Sequence, residues 1–385
     1  MNEMDFFFTP EHKELRQKVH RLAQDEIEPS VTEEGDIDTL ARESVALLAR
    51  EGLTAIMVPA PYGGRYDPMQ AIPICIVREE LTRVSSLADS MFAMQGLGSY
   101  PITLAGSPEV KARFLPPVGR GGSIAAFALT EVQAGSDVAG METHAERRGN
   151  DYVVNGSKRF ISNAGVAGVY TVFAKTDPQK GAKGISAFAM DGRNPGFHIV
   201  EKMRMSAPHP IAEVAFRDCR IPSDQLLGAE GEGFKIAMQT LDLFRVTVGA
   251  AALGFAQRAL EEGLKFSKGR HAFGHNLSDF QLIRAKIANM ATELMAARLL
   301  VYQAAWLLDR GTGRTSLESS MAKYFATEMA QRAVDQSQQI HGGLGVTVGS
   351  VVERLYREVR GLRLYEGTSE IQQIVIAGQL IKDEA

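Results

Sequence analysis

Cys75 and Cys219 are the only cysteines in 385 residues. Two thiols so far apart exclude a disulfide scaffold and read as small packed residues kept reduced, so the expected compartment is cytoplasmic. No run approaches the roughly 18 uninterrupted apolar residues of a membrane-spanning helix. The N-terminal stretch has no cationic region followed by a long apolar one, so no secretory signal is expected. Charge of one sign is missing too: 42 Lys and Arg stand against 46 Asp and Glu, a net −4. Without a basic excess, nucleic acid is not an expected partner. Internal repeats and low-complexity segments are absent as well.

What is present is globular in composition, with 45% hydrophobic and 23% charged residues. At about 100–200 residues per domain, the length predicts two or three units. Thr9-Pro10-Glu11 reads as an N-cap followed by proline at the first helical position. Leu15, Val19, Leu22 and Ile27 follow at roughly helical spacing. Further helices are expected over 40–51 and 68–84. Near Ser123 the texture turns to short β-rich runs. Tyr152-Val153-Val154 and Lys158-Arg159-Phe160-Ile161 flank Asn155-Gly156, a hairpin signal. Strands are also expected over 169–174, 185–190, 197–200 and 214–216. Helical periodicity returns for 234–267, 280–310 and 316–340. A last helix is expected after Gly367, with Ser369 and Gln372 as a capping box and Ile371, Ile374, Val375 and Gly378 on one face. The expected domains are 1–122, helical; 123–230, β; and 231–385, helical.

Four segments could carry chemistry. Phe127 to Asp137 offers the hydroxyls of Thr130 and Ser136 beside Gly135; read locally, it is a strand entering a polar turn. Tyr365-Glu366-Gly367-Thr368-Ser369-Glu370 puts carboxylates in front of a helix N-terminus. They could serve as a base beside a bound anion, or only complement the helix dipole. Gln339-Ile340-His341-Gly342-Gly343 could bring backbone amides to phosphates, but no strand precedes the glycines and a Rossmann spacing is missing. Arg270 could fork onto a phosphate and Phe273 stack on a planar ring. His271 and His275 have i,i+4 spacing, but Gly269 and Gly274 argue against a helix there, and no metal site is expected.

Together these segments resemble the acyl-CoA dehydrogenase family. The pattern is L-T-E-x-x-A-G-S-D at 129–137, F-I-S-N at 160–163, T-L-D-x-x-R at 240–245, R-x-x-F-G at 270–274, Q-I-x-G-G-x-G at 339–345 and Y-E-G-T at 365–368. Any one of these is weak; six in family order across the chain are specific. The resemblance implies an α+β chain: an N-terminal helical domain, a middle β-barrel-like or β-sandwich domain, and a C-terminal four-helix bundle. It implies FAD as cofactor, an acyl-CoA substrate, a homotetramer, and an electron-transfer flavoprotein as electron acceptor.

By position, the resemblance places Phe127, Leu129, Thr130, Phe160, Ile161 and Ser162 beside the flavin. Ser136 goes near the CoA part of the substrate, at the cofactor's edge. Arg270, Phe273 and Gln281 would reach the FAD of a neighbouring subunit, with Gln339, Gly342, Gly343, Thr368 and Glu370. Asp242 and Arg245 would help hold CoA, and Tyr365 and Gly367 flank the reacting centre. Glu366 would be the base that removes the α-proton. This chain departs from the family at Val132-Gln133, where Pro-Gly is usual. It departs at Phe160-Ile161-Ser162, where Trp-Ile-Thr is frequent, and again over Met203 to Pro210. Asp89 and Met94 match the helix that lines the acyl pocket. An unpaired Asp89 there would be costly beside a straight fatty chain. The expected acyl group is therefore short, branched or alicyclic; Asp89 is either a second polar or basic group near the substrate or a residue that points away and caps or pairs locally. Other readings are an acyl-CoA oxidase using O₂, a flavin monooxygenase of similar fold, and a CoA-ester binding protein without turnover.

Overall fold

The computed structural model describes residues 7–32, 34–311, 313 and 315–383. The first six residues, which enter the expectation about a secretory signal, lie outside them. The chain forms two compact units: Met1–Val31 with Ala71–Asp89 and Asp242–Ala385, and Thr32–Gln70 with Ser90–Leu241.

The first unit is helical. Helix α1 (Pro10–Leu22) starts as expected: the Thr9 hydroxyl accepts from the His12 N–H at 3.3 Å. Leu15, Val19 and Leu22 are buried. A π-turn (Ala23–Ile27) leads into the short α2 (Glu28–Ser30). Helix α4 (Ala71–Thr82) begins three residues later than its sequence pattern. The reason is a distant cap: the Asp309 carboxylate accepts from the N–H groups of Ala71 and Ile72. No local signal marks such a start.

Helix α7 (Gly233–Gly269) crosses from one unit to the other in sequence. It is long and apolar enough to span a membrane by composition, although charged and polar residues interrupt its apolar run. Its most apolar window is 83% buried inside the protein, the burial of a core helix. A Cβ on Gly254 would lie 2.0 Å from Thr82 Oγ1, so glycine here permits the close approach of α7 to α4. Helices α8 (Gln281–Arg310), α9 (Ser316–His341), α10 (Val351–Val359) and α11 (Ser369–Asp383) complete the unit. Buried Glu79 ties three of its helices together. It accepts from Arg16 of α1 at 2.8 Å, and from Arg298 at 2.8 Å and Tyr302 at 2.6 Å, both on α8.

The second unit contains α3 (Ile37–Arg50), α6 (Pro108–Gly119), the later part of α5 (Ser86–Ala105) and a sheet. The strands are β1 (Ala125–Ala128), β2 (His144–Arg148), β3 (Asp151–Ser162), β4 (Val169–Lys175), β5 (Ile185–Asp191), β6 (Phe197–Lys202), β7 (Ile211–Pro222) and β8 (Leu226–Leu227). Their order is β6-β7-β3-β2-β4-β5-β8, with β1 parallel to β4.

The hairpin expected at Asn155-Gly156 is not there. Both flanking runs belong to β3, which pairs with β7 along its length. Gly156 sits at a break in that register, with φ 141°, and a Cβ on it would lie 2.6 Å from Thr143 Oγ1. It marks a bulge with a close neighbour rather than a turn. The tight turn lies one strand earlier, at Gly149-Asn150 between β2 and β3.

Candidate active site

Glu366 stands in the loop before α11 in a left-handed conformation, φ 55°, followed by Gly367 at φ 90°. A non-glycine residue holds such a conformation only when its surroundings enforce it. Here backbone clamps do so. The Glu366 carbonyl accepts from Arg245 Nε at 3.2 Å and from Gln372 Nε2 at 3.2 Å. The Gly367 carbonyl accepts from Lys323 Nζ at 2.6 Å and from Gln372 at 3.1 Å. A Cβ at position 367 would lie 2.5 Å from Gln372 Nε2.

The clamped loop leaves Glu366 Oε2 buried without a hydrogen-bond partner. Burial raises the carboxyl pKa, while the charges of Arg78, Lys323 and Arg245 pull it back and Asp89 pushes it further up. Burial wins, so the group holds a proton more readily than a surface glutamate. Lys323 is fully buried, and desolvation lowers its ammonium to about 8 against the attraction of Glu366.

Asp89 pairs locally. Its two oxygens accept from Arg78 Nε at 2.8 Å and Nη2 at 2.7 Å, and both side chains are buried. Arg78 also donates to Thr247 Oγ1 at 2.9 Å. The guanidinium fork engages both carboxylate oxygens. The pair still bears on the site, because both charges act on Glu366 and on Tyr365. Met94 is buried and falls in the other unit.

Asp242 bonds Arg245 at 3.1 Å and accepts from Ser316 at 2.6 Å, so it holds the arginine that holds the Glu366 carbonyl. The cap of α11 differs from expectation. Thr368 Oγ1 accepts from the Ile371 N–H at 3.3 Å, whereas Ser369 turns to Glu328 at 2.5 Å. Gln372, expected to close a capping box, serves the two loop carbonyls instead. Ile374, expected on one face with Ile371, Val375 and Gly378, is 66% exposed. Glu370 is an exposed first-turn acid kept below the usual range by the helix backbone and Thr368.

In the second unit, Phe160 and Asn163 take left-handed φ values of 56° and 65° around Ile161 and Ser162. Phe160 is half exposed, with the Arg159 guanidinium 5.4 Å from its ring centre. Leu129 is buried, Thr130 half-buried, Ser136 exposed, and Phe127 packs on Phe173 at 4.9 Å. The glutamate of the L-T-E motif is internal. Glu131 pairs with buried Lys158 at 2.8 Å and accepts from the Glu142 and Thr143 N–H groups, fixing the loop that presents Thr130 and Ser136.

Back in the first unit, Arg270 and Phe273 lie at a two-residue β-hairpin, His271–Ala272 with His275–Asn276. His271 and His275 are therefore on paired strands and not one helical turn apart. Phe273 is 94% exposed at φ 52°. Among the described residues the Arg270 guanidinium has no partner. Gln281 and Gln339 are exposed, and a Cβ on Gly342 or Gly343 would meet nothing within 4 Å. Within the first unit, a presented phenyl ring, a guanidinium without a partner among the described residues and open glycine amides suit an aromatic group bearing phosphates.

Sequence reasoning missed Arg78, Lys323 and His209, and read Gln372 only as part of a cap. Arg78 follows the apolar run Ile74-Cys75-Ile76-Val77, a position that signals a buried charge with a partner; Lys323 lies among small and hydroxyl residues, Ser319, Ser320, Ala326 and Thr327, which give no such signal. His209, flanked by Pro208 and Pro210 in the segment that departs from the family pattern, bonds Ser162.

The family models of acyl-CoA dehydrogenase N-terminal, middle and C-terminal domains match residues 9–122, 126–219 and 231–381. A probable acyl-CoA dehydrogenase of Mycobacterium leprae is 41% identical over 98% of this chain and 97% of its own. The caffeyl-CoA reductase-Etf complex subunit CarC of Acetobacterium woodii is 37% identical over 98% of this chain and 100% of its own. The solved butyryl-CoA dehydrogenase of Megasphaera elsdenii superposes with a TM-score of 0.92 at 34% identity, over 99% of this chain and 100% of the other. The chain belongs to the acyl-CoA dehydrogenase family, the FAD-dependent oxidoreductases that act on acyl-CoA.

Proposed function

We propose that this chain catalyses α,β-dehydrogenation of an acyl-CoA thioester to the trans-2-enoyl-CoA, with Glu366 as the base. The supporting observation is Glu366 itself: a buried, unpartnered carboxylate oxygen on a strained loop that four backbone clamps hold still. A thioester α-proton is only weakly acidic, and a base with a raised pKa matches it best near neutral pH. FAD, when bound, supplies the acceptor for the hydride that leaves the β-carbon. Glu366 takes the α-proton, and its backbone N–H is the donor assigned to the thioester oxygen, where charge develops. Phe127, Leu129, Thr130, Phe160, Ile161 and Ser162 hold the ring. Arg270, Phe273, Gln281, Gln339, Gly342, Gly343, Thr368 and Glu370 hold the remainder across a subunit boundary in a homotetramer. Ser136, Asp242 and Arg245 serve CoA.

The acyl group is read as short, branched or alicyclic. The support is the Arg78–Asp89 ion pair, close enough to Glu366 to act on its carboxyl, where a long straight chain would require an apolar wall. Electrons pass to an electron-transfer flavoprotein; the relative named as part of an Etf complex supports this. That relative is also named a reductase, and the same carboxylate returns the proton in the reverse direction.

Anaerobic titration of the flavin-loaded protein with a panel of acyl-CoAs tests the reading. Bleaching of the flavin absorbance by at least one short, branched or alicyclic thioester is expected. A spectrum that stays oxidised with every thioester leaves only a CoA-ester binder. Peroxide formed in air at the rate of substrate oxidation makes the protein an oxidase.

A further inference from the structure

His209 occupies the segment where this chain departs from its family, and it makes two hydrogen bonds. Nδ1 lies 3.0 Å from the Ala207 carbonyl oxygen. Nε2 lies 3.2 Å from Ser162 Oγ. A carbonyl can only accept, so the first contact puts the imidazole hydrogen on Nδ1. In the neutral ring Nε2 is then a bare acceptor, and the Ser162 hydroxyl must donate to it. Burial lowers the imidazole pKa, which keeps the ring in that neutral form.

The arrangement is rigid on both sides. Ala207 and His209 each precede a proline, which confines both to extended backbone. The Pro210 carbonyl accepts from the Asn163 N–H at 2.8 Å, and the next residue, Ile211, pairs with Ser162 in the β3–β7 ladder. On the other side, Asn163 Nδ2 donates to the Ala125 carbonyl at 3.0 Å. The imidazole and the hydroxyl are thus set against each other by main-chain contacts, with no side-chain freedom needed to explain the bond.

We propose that His209 is a positioning residue for the cofactor: by accepting the Ser162 hydroxyl proton it leaves Ser162 Oγ as a hydrogen-bond acceptor, which favours a ring presenting an N–H to that oxygen. The inference rests on the assignment of Ser162 to the flavin wall. A hydroxyl with a free hydrogen can donate to an unprotonated ring nitrogen or accept from a protonated one. One whose hydrogen is committed can only accept. Reduction of a flavin adds N–H groups to the ring, so a committed Ser162 discriminates in favour of the reduced form. A neutral hydrogen bond contributes about 1 kcal/mol, which corresponds to roughly five- to tenfold in that preference.

The test is the midpoint potential of bound FAD, read by spectroelectrochemistry on the intact flavin-loaded protein. His209→Leu frees the Ser162 hydrogen. Its potential is expected to fall by about 30 mV, the equivalent of a tenfold change for a two-electron couple. With Ser162→Ala already in place, His209→Leu is expected to shift the potential no further, because the pathway runs through the hydroxyl. An unchanged potential in His209→Leu with full flavin content overturns the proposal. So does an equal shift in the Ser162→Ala background. If His209→Leu cannot be loaded with FAD, the wild-type protein decides: its imidazole ¹⁵N shifts should report hydrogen on Nδ1 alone. A ring with hydrogen on Nε2 at pH 7 overturns the proposal. A wild-type protein that never takes up FAD is a different failure, since it refutes the cofactor assignment and leaves the tautomer measurable.

Discussion

Lys323 Nζ donates to the Gly367 carbonyl oxygen at 2.6 Å, one residue beyond the carboxylate whose pKa its charge lowers. It therefore acts on Glu366 twice, by geometry and by electrostatics. Lys323→Met removes the cation, so the Glu366 pKa should rise further. The acid limb of kcat against pH should move to higher pH, with turnover at pH 6 reduced about tenfold or more, the scale of losing one nearby charge. A variant that folds, binds FAD and keeps the wild-type acid limb would show that Lys323 is packing alone.

Glu366→Gln should lose roughly 10²–10⁴-fold in turnover, the scale of a missing general base, while retaining FAD. Stability should move the other way. The folded pKa of Glu366 is raised, so the folded state binds its proton more tightly than the unfolded chain. That contribution is present below the ordinary glutamate range and is lost as pH rises through the raised value. At pH 8 the wild type carries a buried ionised carboxylate that the amide lacks. The Tm gain of Glu366→Gln over wild type should be larger at pH 8 than at pH 5. An equal Tm difference at both values would contradict the raised pKa.

The helices and strands were largely legible because their signals are local. Thr9-Pro10 starts α1, and the apolar periods of α8 and α9 appear at nearly their observed ends. What failed depended on distant neighbours. Asn155-Gly156 carries a strong turn preference, but the bulge against Thr143 and the long β7 partner override it. Asp309 starts α4 from 238 positions away along the chain. At the site, the local pattern left Glu366 open between a base and a first-turn acid, and Arg245 was legible only through family spacing. Asp89 shows the limit of that route: its position in a helix was readable, but its partner Arg78, 11 residues earlier, was not.

Arg270 has no partner among the described residues and sits beside a fully presented Phe273, which suits a group awaiting a neighbouring subunit. On the proposed homotetramer, Arg270→Ala should lower FAD content and shift the assembly toward smaller species in sedimentation velocity. A variant that keeps full flavin content and wild-type assembly would remove Arg270 from the boundary.

The Arg78–Asp89 pair separates a structural account of Asp89 from a catalytic one. Asp89→Asn leaves a buried guanidinium without its counter-charge, and breaking a buried pair from one side costs about 3–5 kcal/mol. That variant should melt well below wild type, so its activity alone cannot decide the role. Replacing both partners, Arg78→Met with Asp89→Val, removes the charges together with little change in volume, a change that is often neutral or stabilising. The double variant should therefore recover most of the lost Tm. If the pair limits the acyl group, its kcat/KM should rise for longer straight-chain thioesters relative to short, branched and alicyclic ones. A stable double variant with the wild-type ranking would end the short-pocket reading. A stable one that loses only its ring substrates would return Asp89 to the chemistry.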